Sequence, residues 1–182
     1  ERIKEKSLDL LDSHVFQFDF LNDSFDKLPQ SLQAIINNPE KRRKLVVYIN
    51  PPYAEAADKS TVTGKGKNKT NVAVTNKTYN KYINKIGIAG RELFAQFFMR
   101  IYDEIPTSVL AQFSKLKIEQ APNFREFRQA FRAKLGRNFI VPANSFDNVK
   151  GQFPIGFFIW HTEEKVTFEH TTSDVYAKNG DC

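Results

Sequence analysis

The apolar positions along this chain change period several times, and each change marks a predicted element. Residues 1–12 set Ile3, Leu8, Leu10 and Leu11 among charges, as at the end of an amphipathic helix. HVFQFDFLN (14–22) then alternates Val15, Gln17 and Asp19 against Phe16, Phe18 and Phe20, the period of two of a strand, with Asp19 near its C-terminal end. Residues 23–38 open on a capping residue and space Leu32, Ile35 and Ile36 as a helix does. KLVVYI (44–49) is unbroken and apolar after its lysine, which predicts a strand covered on both faces of a parallel sheet. Residues 56–85 are rich in Lys, Thr, Asn and Gly with little periodicity, predicting a long loop with a short hairpin around Val72 to Val74.

Beyond the loop, residues 90–105 place Leu93, Phe94, Phe97, Phe98, Ile101 and Ile105 on one helical stripe. Residues 108–115 read as a strand, and 123–135 as a helix whose Arg125, Arg128 and Arg132 offset its Phe residues and form a solvated face. Residues 137–146 lead to the apolar strand PIGFFIWHT (154–162), where Trp160 reads as core. Residues 164–172 make the last strand, antiparallel to its neighbour because only a tight turn separates them. This order predicts the second half of a three-layer α/β domain: a mostly parallel sheet with an antiparallel last strand, flanked by helices. Ligands of such sheets gather at the C-terminal ends of the strands, where Asp19 and Asn50 are both expected.

Composition narrows the partners. The 182 residues are one domain's worth, with 41% hydrophobic and 13% aromatic residues, a globular composition. A net charge of +6 favours a polyanionic partner. The single cysteine, Cys182, excludes an internal disulfide framework, and His14, His161 and His170 lack the spacing of a metal site. No apolar run approaches the ~20 residues that cross a bilayer and no signal peptide is present, so the expected location is cytoplasmic.

The specific signal is Asn50-Pro51-Pro52-Tyr53 at the end of the KLVVYI run. Each proline fixes φ near about −65° and lacks an N–H, so the carbonyls of Asn50 and Pro51 lose some of their usual partners. The Asn50 amide oxygen stands beside them as a further acceptor. Two acceptors held together suit a primary amine, which brings two donors. Accepting both hydrogens withdraws the nitrogen lone pair from conjugation and makes an aromatic amine more nucleophilic. Tyr53 offers a flat face for the ring that bears the amine.

Through this tetrapeptide the chain resembles the S-adenosylmethionine-dependent amino-methyltransferases, most closely the N6-adenine DNA methyltransferases of restriction-modification systems. The resemblance implies a partial Rossmann-like methyltransferase fold and a double-stranded DNA partner. In it, Asn50 and the Pro51 carbonyl hold the amine of a flipped adenine while Tyr53 stacks on the base. It also implies that Asp19, in FDFL (18–21), accepts from the cofactor's adenine amine, with Phe20 packed on the same ring and Phe94 lining the pocket. Phe146, with Phe153 second, stands for the aromatic residue packing on the base opposite Tyr53. Lys59, Lys65, Lys67, Lys69, Lys77, Lys81 and Lys85 face Asp58 as the only acid of the long loop, and Lys65, Lys67 and Lys69 are its expected phosphate contacts.

The sequence departs from that family in lacking the glycine-rich cofactor turn and the acid that would hold the ribose hydroxyls. GKGK (64–67) and GIAG (87–90) do not substitute, since neither follows an apolar strand and opens a helix. Residues 1–182 are therefore expected to be the catalytic portion of one methyltransferase domain, inactive alone, with the cofactor turn before Glu1 and a recognition domain after Cys182. Two other readings stay open: a protein-glutamine or RNA amino-methyltransferase, and a non-catalytic nucleic-acid-binding remnant.

Overall fold

The computed structural model describes residues 15–51, 73–146, 151–167 and 169–182. Short helices α1 (Gln30–Ile36) and α2 (Pro39–Arg42) lead into strand β1 (Val46–Ile49). Helices α3 (Lys77–Ile86) and α4 (Leu93–Glu104) precede β2 (Val109–Lys115). Helices α5 (Lys117–Gln120) and α6 (Arg125–Ala130) follow, then β3 (Ala133–Pro142), β4 (Pro154–Lys165) and the two-residue β5 (Asp174–Val175).

The strands form one sheet in the order β1-β2-β4-β3-β5. β1 pairs parallel with β2 and β3 with β5, while β4 runs antiparallel to both β2 and β3. β1, β2, β3 and β5 therefore all point one way, and β4 alone is reversed between two of them. The expected mostly parallel sheet with one late antiparallel strand is this arrangement, although the reversed strand is 154–165 rather than 164–172.

One sheet face is packed. Tyr82 and Ile86 of α3, Phe94, Phe98 and Ile101 of α4, and Phe127 of α6 bury against Leu110 of β2 and Phe158 and Trp160 of β4. Full burial of such side chains contributes about 1.5–3 kcal/mol each, so this layer holds the sheet in place. Trp160 is core, as its sequence position predicts. On the other face Phe113, Phe139 and Phe157 make a ring cluster that Tyr48 and Phe146 join from its margins.

Several predicted elements differ. Residues 15–22 form no strand: 15–19 are irregular and 20–22 turn. The Asp19 carboxylate accepts from the backbone N–H of Leu21 and Asn22, which offers the chain a local alternative to a sheet ladder. The helix expected over 23–38 is confined to Gln30–Ile36, after a single 3₁₀ turn at Phe25–Lys27. β1 is not covered on both faces within the described residues, since Val46 and Tyr48 are 58% and 62% exposed.

The end of the predicted loop is α3, capped by the Asn76 side chain accepting from the Tyr79 N–H. The helix predicted over 123–135 stops at Ala130, and its last residues begin β3. A bulge between Leu135 and Arg137 sets Leu135 on the core face and Phe139 on the other, so no plain period of two runs through this strand. Residues 166, 167 and 169–172 are not strand.

Candidate active site

One edge of the sheet collects the predicted chemistry. β1 ends there and releases Asn50; β2 ends there at Lys115; β3 ends there at Pro142, opposite the first residue of the reversed β4, Pro154. Asn50 is exposed, and among the described residues its amide has no hydrogen-bond partner; Pro51 is buried. A strand end of this kind fixes one residue inside and leaves the preceding polar side chain outward. Pro52, Tyr53, Lys65, Lys67 and Lys69 lie outside the described residues.

Phe146, just after the end of β3, and Phe153, just before β4, are 36% and 45% exposed. Phe146 sits edge-on to Phe113 at 5.2 Å, and the Lys115 ammonium lies 5.6 Å from the Phe153 ring centre. Lys115, Lys117, Gln120 and Phe153 border a hollow of about 280 Å³. Register sets Ile49 level with Gln112 and Phe158, four residues from Pro154, so two strand spacings across and about 13 Å along put the start of β4 about 16 Å from the end of β1. Asn50 and Phe153 therefore lie at the same end of the sheet without being neighbours.

Asp19 and Phe20 lie on the far side of β1. Phe18 packs near Leu45 and Val47, and Phe16, Phe18, Phe20, Val46 and Tyr48 help line an apolar hollow of about 310 Å³. Phe20 stacks on Phe97 at 4.7 Å, and the Arg100 guanidinium lies 5.1 Å from its centre. The Asp19 carboxylate accepts from Leu21 N at 3.0 Å, Asn22 N at 3.2 Å and Asn22 Nδ2 at 2.8 Å. A carboxylate has about four acceptor positions, so one remains for a ligand.

Phe94 is not beside that hollow. It is buried and stacked on Phe124 at 5.4 Å inside the main core, because it begins the buried stripe of α4. Of the loop lysines, Lys81 is paired with Glu104 at 2.9 Å and reaches Asp103 at 3.7 Å, and Lys85 reaches Asp103 at 3.7 Å. Helical spacing aims these two at α4, which removes them from the expected row of phosphate contacts.

Three positioning residues were hidden in the sequence. Arg100, buried in α4, donates to the carbonyls of Phe20 and Asp23 and pairs with Glu104 at 3.1 Å, which ties 20–25 to the helix. Gln96, fully buried, donates Nε2 to the carbonyls of Ala73 (2.5 Å) and Gly90 (2.6 Å) and accepts from Asn76 Nδ2 at 3.0 Å. It anchors the chain where it returns from the Asn50 side to α3. Gln112 pairs in register with Ile49, one residue before Asn50; its amide is fully buried and unpartnered at both polar atoms. The only signal for any of them is a polar residue inside an apolar pattern, which by itself names no partner.

No protein-family model matches the sequence, and no curated protein matches it. Several solved structures resemble it, two of them as follows. One is the cryo-EM structure of a DrdV–DNA complex, with a TM-score of 0.45 and 16% identity, covering 74% of this chain and 15% of that one. The other is the ATP-dependent Type ISP restriction-modification enzyme LlaBIII bound to DNA, with a TM-score of 0.41 and 9% identity, covering 76% of this chain and 10% of that one. The chain thus spans only a small part of the length of either neighbour. Among the described residues no helix is long and apolar enough to cross a membrane.

Proposed function

We propose that this chain carries the amine-binding part of an S-adenosylmethionine-dependent DNA methyltransferase, one that modifies N6 of an adenine extruded from double-stranded DNA within a restriction-modification enzyme. The observation that carries the reading is the exposed Asn50 amide at the end of β1, without a hydrogen-bond partner among the described residues and directly followed by the buried Pro51. An amide committed to its own backbone would have removed the acceptor. The direction of the sheet supports it, with one reversed strand in an otherwise parallel set as the resemblance implies.

S-adenosylmethionine, when bound, supplies an electrophilic methyl carbon on a sulfonium. The residues near its expected place fit only its adenine end: the apolar hollow beside Phe20 suits a planar ring, and Asp19 keeps one acceptor position for a ring amine. Asn50 Oδ1 and the Pro51 carbonyl accept the two hydrogens of the target amine. That leaves its lone pair out of the ring system and aimed along one line. They also favour the cationic nitrogen present before a proton is lost, since both oxygens bear partial negative charge. Phe153 with Lys115, in its shallow hollow, offers a ring face and a cation to the substrate side.

The test is incorporation of a labelled methyl group by the complete protein and by its Asn50→Ala variant, with DNA, RNA and protein as separate acceptors. Label in DNA, lost in the variant while cofactor binding stays nearly intact, is the expected result. Activity above a few per cent in the variant removes Asn50 from the reaction. Label in RNA or in protein glutamine transfers the reading to those acceptors.

A further inference from the structure

Away from the Asn50 edge, three arginines converge on one hollow. Arg125, Arg128, Gln129, Arg132 and Thr167 line a depression of about 390 Å³. It lies where β3 begins and β4 ends, since Ala133 pairs with Lys165, and this is the edge of the sheet opposite Asn50. The Val166 N–H donates to the Arg132 carbonyl at 2.8 Å, so the two walls are joined through the backbone. Arg128 Nη1 donates to the carbonyls of Ile118 (2.8 Å) and Ala121 (3.1 Å), which holds its guanidinium in place. Its other N–H groups are uncommitted among the described residues, and the Arg125 and Arg132 guanidiniums have neither an ion pair nor a hydrogen bond to them.

Among the described residues no carboxylate lines the hollow. The carboxyl felt by Arg128 is that of Glu119, which burial pushes up to about 7, so near neutral pH it is only partly charged. Arg125 and Arg128 stand at i,i+3 on α6, where like charges repel, and Arg132, just past the helix end, lines the same depression, so a bound anion would offset that repulsion. Arginine forks match the oxygens of a phosphate group, and a threonine hydroxyl adds a further donor. The sequence pattern alone shows a solvated basic face; the depression appears only where α6 meets the ends of β3 and β4.

We propose that Arg125, Arg128, Arg132 and Thr167 form a phosphate-binding site distinct from the Asn50 edge. The phosphate is either a free phosphoanion or a phosphodiester of bound nucleic acid. The site does not depend on methyl transfer.

The experiment compares the complete protein with an Arg125→Gln/Arg132→Gln double variant, both side chains being exposed and unpartnered. Lys41→Gln/Lys44→Gln, an equal loss of charge elsewhere, is the control. Calorimetry with pyrophosphate and fluorescence anisotropy with duplex DNA across a salt series are the two readouts. Saturable pyrophosphate binding weakened at least about tenfold in the arginine variant, and unchanged in the control, supports the site. If DNA supplies the phosphate, the slope of log affinity against log salt also falls by about 1–2 in the arginine variant; if a free anion does, that slope stays as in wild type. The proposal is overturned if pyrophosphate does not saturate and the DNA slope is unchanged, or if the control loses as much as the arginine variant.

Discussion

Arg100 ties the segment that carries Asp19 and Phe20 to the main body, so replacing it isolates that attachment. The side chain is buried; it donates from Nη1 to Phe20 O, from Nη2 to Asp23 O at 2.6 Å and from Nε to Glu104 at 3.1 Å. Its guanidinium also lies 4.5 Å from the Phe25 ring centre and 5.1 Å from that of Phe20. In Arg100→Leu the two carbonyls lose charged donors, at about 1.5–3 kcal/mol each. Loss of the ring contacts adds about 1 kcal/mol. Glu104 is not orphaned, because Lys81 at 2.9 Å and the Tyr82 hydroxyl at 3.0 Å remain on it. The buried leucine returns about 1–2 kcal/mol. The net loss expected is therefore about 3 kcal/mol, a large part of the stability of an ordinary domain.

Urea unfolding measures that loss, and hydrogen exchange at residues 20–28 locates it. Those amides should exchange through local opening in the variant while α4 stays protected. Arg100→Lys, which keeps the charge but cannot fork between two carbonyls, should lose more than half as much. A loss below about 1 kcal/mol in Arg100→Leu, or unchanged exchange at 20–28, would refute the attachment.

Two further perturbations test the packing behind the sites. Gly87 ends α3 with φ of 55° and ψ of −143°, and a Cβ there would fall on the Glu126 carboxyl. Gly87→Ala should therefore cost about 1–3 kcal/mol and lower the melting temperature by several degrees; an unchanged Tm would show that the turn relaxes freely. The Glu119 carboxyl is buried, and that burial pushes its pKa up from 4.5 to about 7, against the smaller opposing pulls of its own backbone N–H and then of the Arg128 charge. Between those values the folded state holds the proton that the unfolded chain releases. Stability should thus fall as pH rises from about 5 through 7, by up to about 3 kcal/mol. Glu119→Gln should flatten that part of the pH profile, and an equally steep profile in the variant would remove Glu119 as its source.

The apolar pattern alone was enough for the long elements whose burial repeats locally. Leu93, Phe94, Phe98 and Ile101 announce α4, and the run into Ile49 announces β1. It failed where a local competitor or a remote partner decides the outcome. Phe16, Phe18 and Phe20 alternate as a strand, yet the Asp19 carboxylate captures the N–H groups of Leu21 and Asn22 and turns the chain. Lys77–Ile86 looked like loop because its lysines hide the Tyr82–Ile86 stripe that buries on the core. β3 was missed because its hydrogen bonds come from β4 and β5, so nothing within its own ten residues requires a strand.

Residue order by itself determined the chemistry of Asn50-Pro51-Pro52-Tyr53 and the exit of that tetrapeptide from an apolar strand. Proline geometry and the identity of an acceptor are properties of single residues. Tertiary structure alone decided that β4 reverses between β2 and β3, that Phe153 and Lys115 lie at the same end of the sheet as Asn50, and that three arginines face one hollow at the other end. Strand pairing and charge convergence join residues far apart in the chain, and their energy exists only once the chain has closed on itself.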